Sequence, residues 1–355
     1  MKKLLVCLLT TFIFSQPIHA QNLPDVIEHV LPAITYIEVE RHVEHKVIDA
    51  QNSSIKSVRE RVGSSIGTGF VIEGNKIVTN FHVISRAVLT DEKVLVKFEN
   101  STIKYEAKII GYDEVADVAL LQIEGTHPSV EIATDADKLR MGDDIFTISN
   151  YYSIEFSTTK GIVSSNNRSD RRYPYIRLLQ LQILQGSGSS GGPVMNKDGK
   201  VVAINHTILS MIPDNIYKTP HPSLMSMTAF TIRGDQLAKS IKRIEREGVV
   251  KRSDIGLYLQ DYGMTSERFL YDPVPNSANV AGILVLGIDV DGPRNLFQDD
   301  DIIVSCDNYR FTSAAAFLLW LDENHRPGDT IKLQVYRDGS LLNITTEVKA
   351  ARRFR

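Results

Sequence analysis

Three residues whose types can together hydrolyse an acyl bond occur in the chain order His82, Asp117, Ser190. Ser190 lies in the run Gly186-Ser187-Gly188-Ser189-Ser190-Gly191-Gly192-Pro193, where four glycines let the backbone turn sharply and let a substrate carbonyl come close. In such a turn the N–H groups of Gly188 and Ser190 can converge on the oxygen of a tetrahedral intermediate, each donor being worth roughly 10² to 10³ in rate. A serine hydroxyl alone is a poor nucleophile. It needs a base, and the base needs an acid that fixes its tautomer and stabilises the imidazolium. The stretch Thr79-Asn80-Phe81-His82-Val83 puts a histidine just after a β-rich run, and Ala116-Asp117-Val118-Ala119-Leu120-Leu121 puts an aspartate at the start of another. His-Asp-Ser is one of the chain orders in which such a triad occurs. Each piece also has a plainer reading: a flexible Gly-Ser linker, a surface or core histidine, a strand-capping aspartate. The linker reading fits poorly, because Gly191-Gly192-Pro193-Val194 leads straight into a strand-like run.

The elements that must hold these residues are short and β-rich. Residues 69–72 and 77–79 flank the turn Glu73-Gly74-Asn75 and predict a hairpin, and further strands are expected at 94–98, 118–123, 145–148, 161–164, 201–205 and 228–232. Many short strands at close spacing predict a barrel or sandwich. Residues 41–63 and 166–175 are polar or basic, the second containing Arg168, Arg171 and Arg172, and both read as exposed loops. His42 and His45 in the first have a metal-like spacing but no third placed ligand, and read as solvated. Residues 209–226, with Pro213, Pro220 and Pro222, read as a third loop. Leu237, Ile241 and Ile244 recur at helical spacing, so a connecting helix is expected over 235–247, with Asp235 as its cap and Gly248 just past its end. A second β-rich unit follows, with strands near 283–286 and 302–305, a helix over 313–324 and a closing hairpin turned at Asp338-Gly339.

Bulk properties narrow the classes. The 355 residues allow two or three domains, and 40 Lys and Arg against 43 Asp and Glu leave no positive field to hold a nucleic acid. Past the first twenty residues no apolar stretch approaches the roughly 18 to 20 residues that cross a bilayer. The start, Lys2-Lys3 followed by apolar residues and Pro17-Ile18-His19-Ala20, has the three regions of a secretory signal, with cleavage expected after Ala20 and an uncleaved membrane anchor as the alternative. The two cysteines, Cys7 and Cys306, leave the processed chain no internal disulfide and no zinc-cysteine site.

With these motifs in order, the sequence resembles the HtrA (Deg) family of envelope serine proteases from residue 23 to residue 348. The resemblance rests on Leu31-Pro32-Ala33, on Gly67-Thr68-Gly69-Phe70-Val71-Ile72 with Ile77-Val78-Thr79-Asn80-Phe81-His82-Val83-Ile84, on Gly111-Tyr112-Asp113 with Asp117-Val118-Ala119-Leu120-Leu121, on Thr159-Lys160-Gly161-Ile162-Val163-Ser164, and on Gly188-Ser189-Ser190-Gly191-Gly192-Pro193-Val194. It implies a mainly β fold of two six-stranded chymotrypsin-like barrels with the active site between them, followed by one α+β PDZ domain. Ser190 would be the nucleophile, His82 the general base, Asp117 its orienter, and Gly188 and Ser190 the oxyanion donors. In the PDZ domain, Ser253-Asp254-Ile255-Gly256-Leu257 corresponds to the carboxylate-binding loop, so the N–H groups of Ile255, Gly256 and Leu257 would receive a peptide C-terminus while the following strand pairs with the peptide. A single PDZ domain resembles the stress-sensing branch of the family.

The implied division is a signal peptide over 1–20, a protease domain over 21–233, a linker helix over 234–252, a PDZ domain over 253–350 and a tail over 351–355. The expected activity is ATP-independent endoproteolysis in the periplasm, on unfolded or membrane-associated envelope proteins, by a homotrimer or larger assembly that needs no metal or other cofactor and binds no nucleic acid. Some positions depart from the family pattern. Ser189 stands where Asn is usual, Gln182 stands where an acid is common, Ser149-Asn150-Tyr151-Tyr152-Ser153 replaces a Gly-Asn-Pro-Phe-Gly turn, and Asn295-Leu296-Phe297 replaces a small-residue turn.

Overall fold

The computed structural model describes residues 22–48, 55–151, 154–168, 175–208, 226–262, 280–311 and 313–351. The signal segment, Arg171 and Arg172, nearly all of the 209–226 loop and the last four residues lie outside them.

A short helix α1 (Leu23–Val30), capped by Asn22 through Asp25 N–H, leads into the first barrel. Its strands are β1 (Ile34–Ile48), β2 (Ile55–Ile72), β3 (Lys76–Thr79), β4 (Val94–Phe98), β5 (Tyr105–Asp113) and β6 (Val118–Gln122), closed in the order β1-β2-β3-β6-β5-β4, with helix α2 (Phe81–Thr90) between β3 and β4. The hairpin at 69–79 forms as expected, with Phe70 opposite Val78 and Ile72 opposite Lys76. Ile37, Phe70, Ile77, Leu120 and Leu121 are fully buried inside the barrel.

One expectation is overturned here. Residues 41–63 do not form a loop: β1 and β2 continue outward as a long antiparallel ribbon that pairs His42 with Arg61 and Ile48 with Ile55. Its sequence carries charged residues at both odd and even positions, so no alternation of apolar and polar residues marks it. Cross-strand ion pairs hold it instead, with Arg61 Nη2 2.5 Å from Glu38 Oε1 and His45 Nε2 3.5 Å from Glu60. His42 is not simply solvated, since Nδ1 meets Glu92 Oε2 at 2.9 Å.

The second barrel is built from β7 (Asp144–Tyr151), β8 (Ile154–Arg168), β9 (Leu178–Gln185), β10 (Pro193–Met195), β11 (Val201–Ile208) and β12 (Ser226–Arg233), closed as β10-β11-β12-β9-β8-β7. Leu179, Leu181 and Ile183, every second residue of β9, fill it together with Ile145, Val163 and Val194. Helix α3 (Gly234–Glu247) then packs Leu237, Ile241 and Ile244 into the core shared with the first barrel and ends at Gly248, whose N–H donates to Ile244 O at 2.8 Å. Asp235 does not cap it. Its carboxylate takes both arms of the Arg233 guanidinium at 2.8 and 3.0 Å, a charge-assisted fork that displaces a single backbone contact.

The remaining residues form a two-stranded sheet, β13 (Ser253–Asp254) against β19 (Lys349–Ala350), and a five-stranded sheet of β14 (Leu257–Tyr262), β15 (Gly282–Ile288), β16 (Ile302–Cys306), β17 (Thr330–Arg337) and β18 (Ser340–Glu347) in sequential order. Helix α4 (Ala314–Asn324) lies against them, with Ser313 Oγ capping Ala316 N–H at 3.1 Å. Phe317, Leu321, Ile283, Val285, Leu333 and Val335 make the core, and it also takes in Val115 and Tyr175 from the barrels. Among the described residues no helix is long and apolar enough to cross a membrane.

Candidate active site

The pair His82 and Asp117 is assembled by the first barrel alone. Helix α2 leaves the N–H groups of its first turn without intrahelical partners, and Asp117, on the turn into β6, supplies the anion they need. His82 N–H donates to Asp117 Oδ1 at 2.9 Å, while His82 Nδ1 lies 2.7 Å from Asp117 Oδ2. Asn80 Nδ2 donates to the carbonyl of Asp117 at 2.9 Å, which holds that residue at φ +56°, in the left-handed region that aspartate tolerates. The carboxylate is wholly buried, whereas the His82 side chain is 36% exposed. Burial alone would raise the Asp117 pKa, but the imidazoles of His82 and His206 outweigh it and hold the carboxyl well below the usual range. An ionised carboxylate only accepts, so His82 carries its proton on Nδ1 and keeps Nε2 for a reacting proton.

Ser190 is brought to the same cleft by the second barrel. Its turn is fastened to β2: Thr68 N–H donates to Ser190 O at 2.8 Å, and Thr68 Oγ1 donates to Gly188 O at 2.8 Å. Asn150, on the turn that departs from the family pattern, supports this junction, since both its N–H and its Nδ2 donate to Thr68 Oγ1 at 3.0 Å. Ser189, which stands where the family usually has Asn, closes the turn through its own N–H and Oγ, which reach Gly186 O at 3.1 and 2.7 Å. Gly191 is obligatory, because a Cβ there would stand 2.1 Å from Thr68 O on a backbone with φ +82°. Among the described residues the N–H groups of Gly188 and Ser190 donate to no protein acceptor, and Ser190 Oγ makes no hydrogen bond to His82. The structure therefore couples His82 to the Asp117 carboxylate and seats the Ser190 turn against β2 and the start of α2.

A residue that the sequence reading missed completes the cluster. His206, on β11, is 1% exposed and places Nδ1 2.8 Å from the same Asp117 Oδ2. Its neighbour Asn205 brackets the nucleophile turn, accepting from Gly191 N–H at 3.1 Å and donating its own N–H to Gly192 O at 2.8 Å. No spacing signal marked it, since the whole run Val201 to His206 is buried and its sequence shows no alternation of apolar and polar residues. His82, Asp117 and His206 also form the one grouping among the described residues with potential metal-ligand atoms all within 4.8 Å of one another.

The second candidate site is the loop before β14. Two of its three expected donors, the N–H groups of Ile255 and Gly256, point at a carboxylate that the chain already owns: Asp254 Oδ1 accepts them at 2.6 and 2.8 Å. The other oxygen, Oδ2, accepts from Tyr175 Oη at 2.7 Å, a residue of the barrels. Desolvation raises the Asp254 pKa despite these donors. Beside it, the buried Arg252 spans Asp113 Oδ2 on β5 at 2.7 Å and Asp322 Oδ2 on α4 at 2.8 Å.

Two closed antiparallel barrels with a His-Asp pair on one and a glycine-flanked serine on the other define a trypsin-like peptidase fold, here joined to a PDZ fold. Residues 67–204 match the trypsin-like peptidase domain family and residues 253–348 the PDZ domain family. A probable periplasmic serine endoprotease, DegP-like, of Pseudomonas putida (strain GB-1) is 29% identical over 304 residues, and a namesake from Halomonas elongata is 27% identical over 365 residues, covering 94% of this chain and 72% of that one. The alignment with the Pseudomonas putida protein covers 84% of this chain and only 59% of the relative's length. Among solved structures, the HtrA-type protease AlgW with decapeptide superposes with a TM-score of 0.70 at 22% identity, over 93% of this chain and 98% of that one. The serine endoprotease from Yersinia pestis gives 0.62 at 23%, over 94% and 99%. The chain thus carries one trypsin-like peptidase domain followed by one PDZ domain, and is similar to DegP-like and HtrA-type serine proteases.

Proposed function

We propose that this chain is an exported, ATP-independent serine endopeptidase of the HtrA type that cuts unfolded or regulatory envelope proteins and reads peptide C-termini with its PDZ domain. The observation that carries this reading is the 2.7 Å bond from a half-exposed imidazole to a buried carboxylate, beside a serine turn with two amides left open. In the reaction Ser190 Oγ attacks the scissile carbonyl while His82 Nε2 takes its proton. The oxyanion is held by the N–H groups of Gly188 and Ser190. His82 then protonates the leaving amine, and water repeats the sequence on the acyl-enzyme. Asp117 stays ionised throughout and stabilises the imidazolium. The unengaged Ser190 Oγ fits a resting state that substrate or a PDZ-bound peptide tightens, since catalytic hydrogen bonds are often long before substrate binds.

The periplasmic location rests on the names of the relatives and on the export signal, and the assembly into trimers rests on the family resemblance alone. The test compares the parent with Ser190→Ala on unfolded casein and by fluorophosphonate labelling. Hydrolysis and labelling by the parent only are expected; equal proteolysis by both overturns the assignment.

A further inference from the structure

We infer that His206 is a positioning residue for the proposed reaction, a second imidazole that ties the Asp117 carboxylate to the barrel bearing the nucleophile. The inference rests on the endopeptidase reading and adds a residue to it.

Three observations carry it. First, Asp117 Oδ2 meets two imidazole nitrogens at nearly equal distances, His82 Nδ1 at 2.7 Å and His206 Nδ1 at 2.8 Å. An ionised carboxylate has no proton to give, so both nitrogens are donors and His206 holds its proton on Nδ1. Second, the two histidines come from different barrels. His82 shares the first barrel with Asp117, so their bond is local, whereas the His206 bond crosses the cleft. Because Asn205 clamps Gly191 and Gly192 through the backbone, the length of that bond sets how far the Ser190 turn stands from the carboxylate. Third, the site is dry: Asp117 is 0% and His206 1% exposed, so water cannot stand in for a missing donor.

The choice of imidazole also has an electrostatic side. When His82 accepts the serine proton it becomes positive beside Oδ2. An imidazole N–H on the other side of that oxygen fixes the carboxylate without the permanent charge that a lysine or arginine would add to the transition state.

Two measurements test the role. In the intact protein with ¹⁵N-labelled histidine, NMR should show His206 as the Nδ1–H tautomer; an Nε2–H tautomer overturns the proposal without any substitution. For function, His206→Leu removes the donor at similar volume, and His206→Asn keeps an N–H near the Nδ1 position. Loss of one charge-assisted bond should lower kcat on a peptide substrate by roughly 10- to 100-fold for His206→Leu with KM unchanged, and His206→Asn should restore most of it. An undiminished kcat in His206→Leu, or equal damage in both variants, overturns the role. The far-downfield proton of His82 Nδ1, followed in a Ser190→Ala background, should shift in His206→Leu and hold in His206→Asn. That signal needs no turnover. If the parent proves unable to hydrolyse peptides, the endopeptidase reading fails while the resonance and the tautomer still decide the placement of His206.

Discussion

The cleft between the barrels and the loop before β14 use the same device, a pair of backbone N–H groups beside a glycine of positive φ, and they hold it in opposite states. At the first, Gly188 (φ +94°) and Ser190 leave their amides without a protein acceptor. At the second, Gly256 (φ +70°) and Ile255 give theirs to the carboxylate of Asp254. The contrast separates two tasks. A cradle for a transient oxyanion works because it is empty and oriented before charge develops. On the proposed reading, a cradle for a stable carboxylate can be filled in advance, and a peptide C-terminus would bind there by displacing Asp254 as an internal rival. Tyr175 makes the rival's hold depend on the barrels, because its hydroxyl, with a pKa raised well above the ordinary value by burial, stays a donor to Asp254.

The strongest way to break the comparison is at the open cradle. Ser190→Ala should lower kcat by about 10⁶, measured on the peptide the parent cuts, while leaving PDZ peptide affinity unchanged. Asp117→Asn should lower kcat by about 10⁴ through the wrong imidazole tautomer, and a smaller drop would place the orienting work elsewhere. Next comes the frame behind the filled cradle. Arg252→Met leaves the buried Asp113 without its guanidinium partner, while Asp322 keeps Arg243 at 2.7 Å, and should cost about 3 to 5 kcal/mol in urea unfolding.

The gentlest test is Asp254→Asn. Replacing the carboxylate acceptor by a neutral amide oxygen weakens the internal rival and should tighten the binding of a peptide with a free C-terminus by roughly fivefold, as expected for a net hydrogen-bond difference near 1 kcal/mol. In the parent, that affinity should rise as pH falls through the raised Asp254 pKa, while the peptide carboxylate, with an ordinary pKa of about 3.3 to 3.7, is still ionised. A titration by calorimetry that is flat in the parent would remove the competition. The two carboxylates should also pull stability in opposite directions. Asp117, depressed in the fold, contributes stability above the unfolded pKa of about 3.9 that is lost as pH falls. Asp254, raised in the fold, contributes stability in acid that is lost as pH rises through its folded pKa.

What the sequence made legible follows from how strongly each feature is patterned. The barrel strands were readable as short apolar, β-branched runs bounded by turn residues, and α3 because Leu237, Ile241 and Ile244 keep a helical period. The ribbon of β1 and β2 beyond Glu40 was not, since strands with charged residues at both odd and even positions carry no period-two signal. Helix α2 hid behind its own motif, as Phe81 and Val83 read equally well as the end of a β-run. His82 and Asp117 could be paired from the motifs, whereas His206 could not, because only closure of the second barrel brings the end of β11 to the carboxylate. Asp254 was passed over for a related reason: a loop side chain turning back on the next two amides leaves no trace in spacing.

The five residues from Asp113 to Asp117 answer to two masters. Asp113 grips Arg252, Val115 is packed among the side chains of the PDZ core, and Asp117 holds the histidines. Such a short, tightly bonded bend has little slack, with Ala116 N–H donating to Asp113 Oδ1 at 2.9 Å. Only four peptide bonds separate the carboxylate that grips Arg252 from the one that meets the two imidazoles.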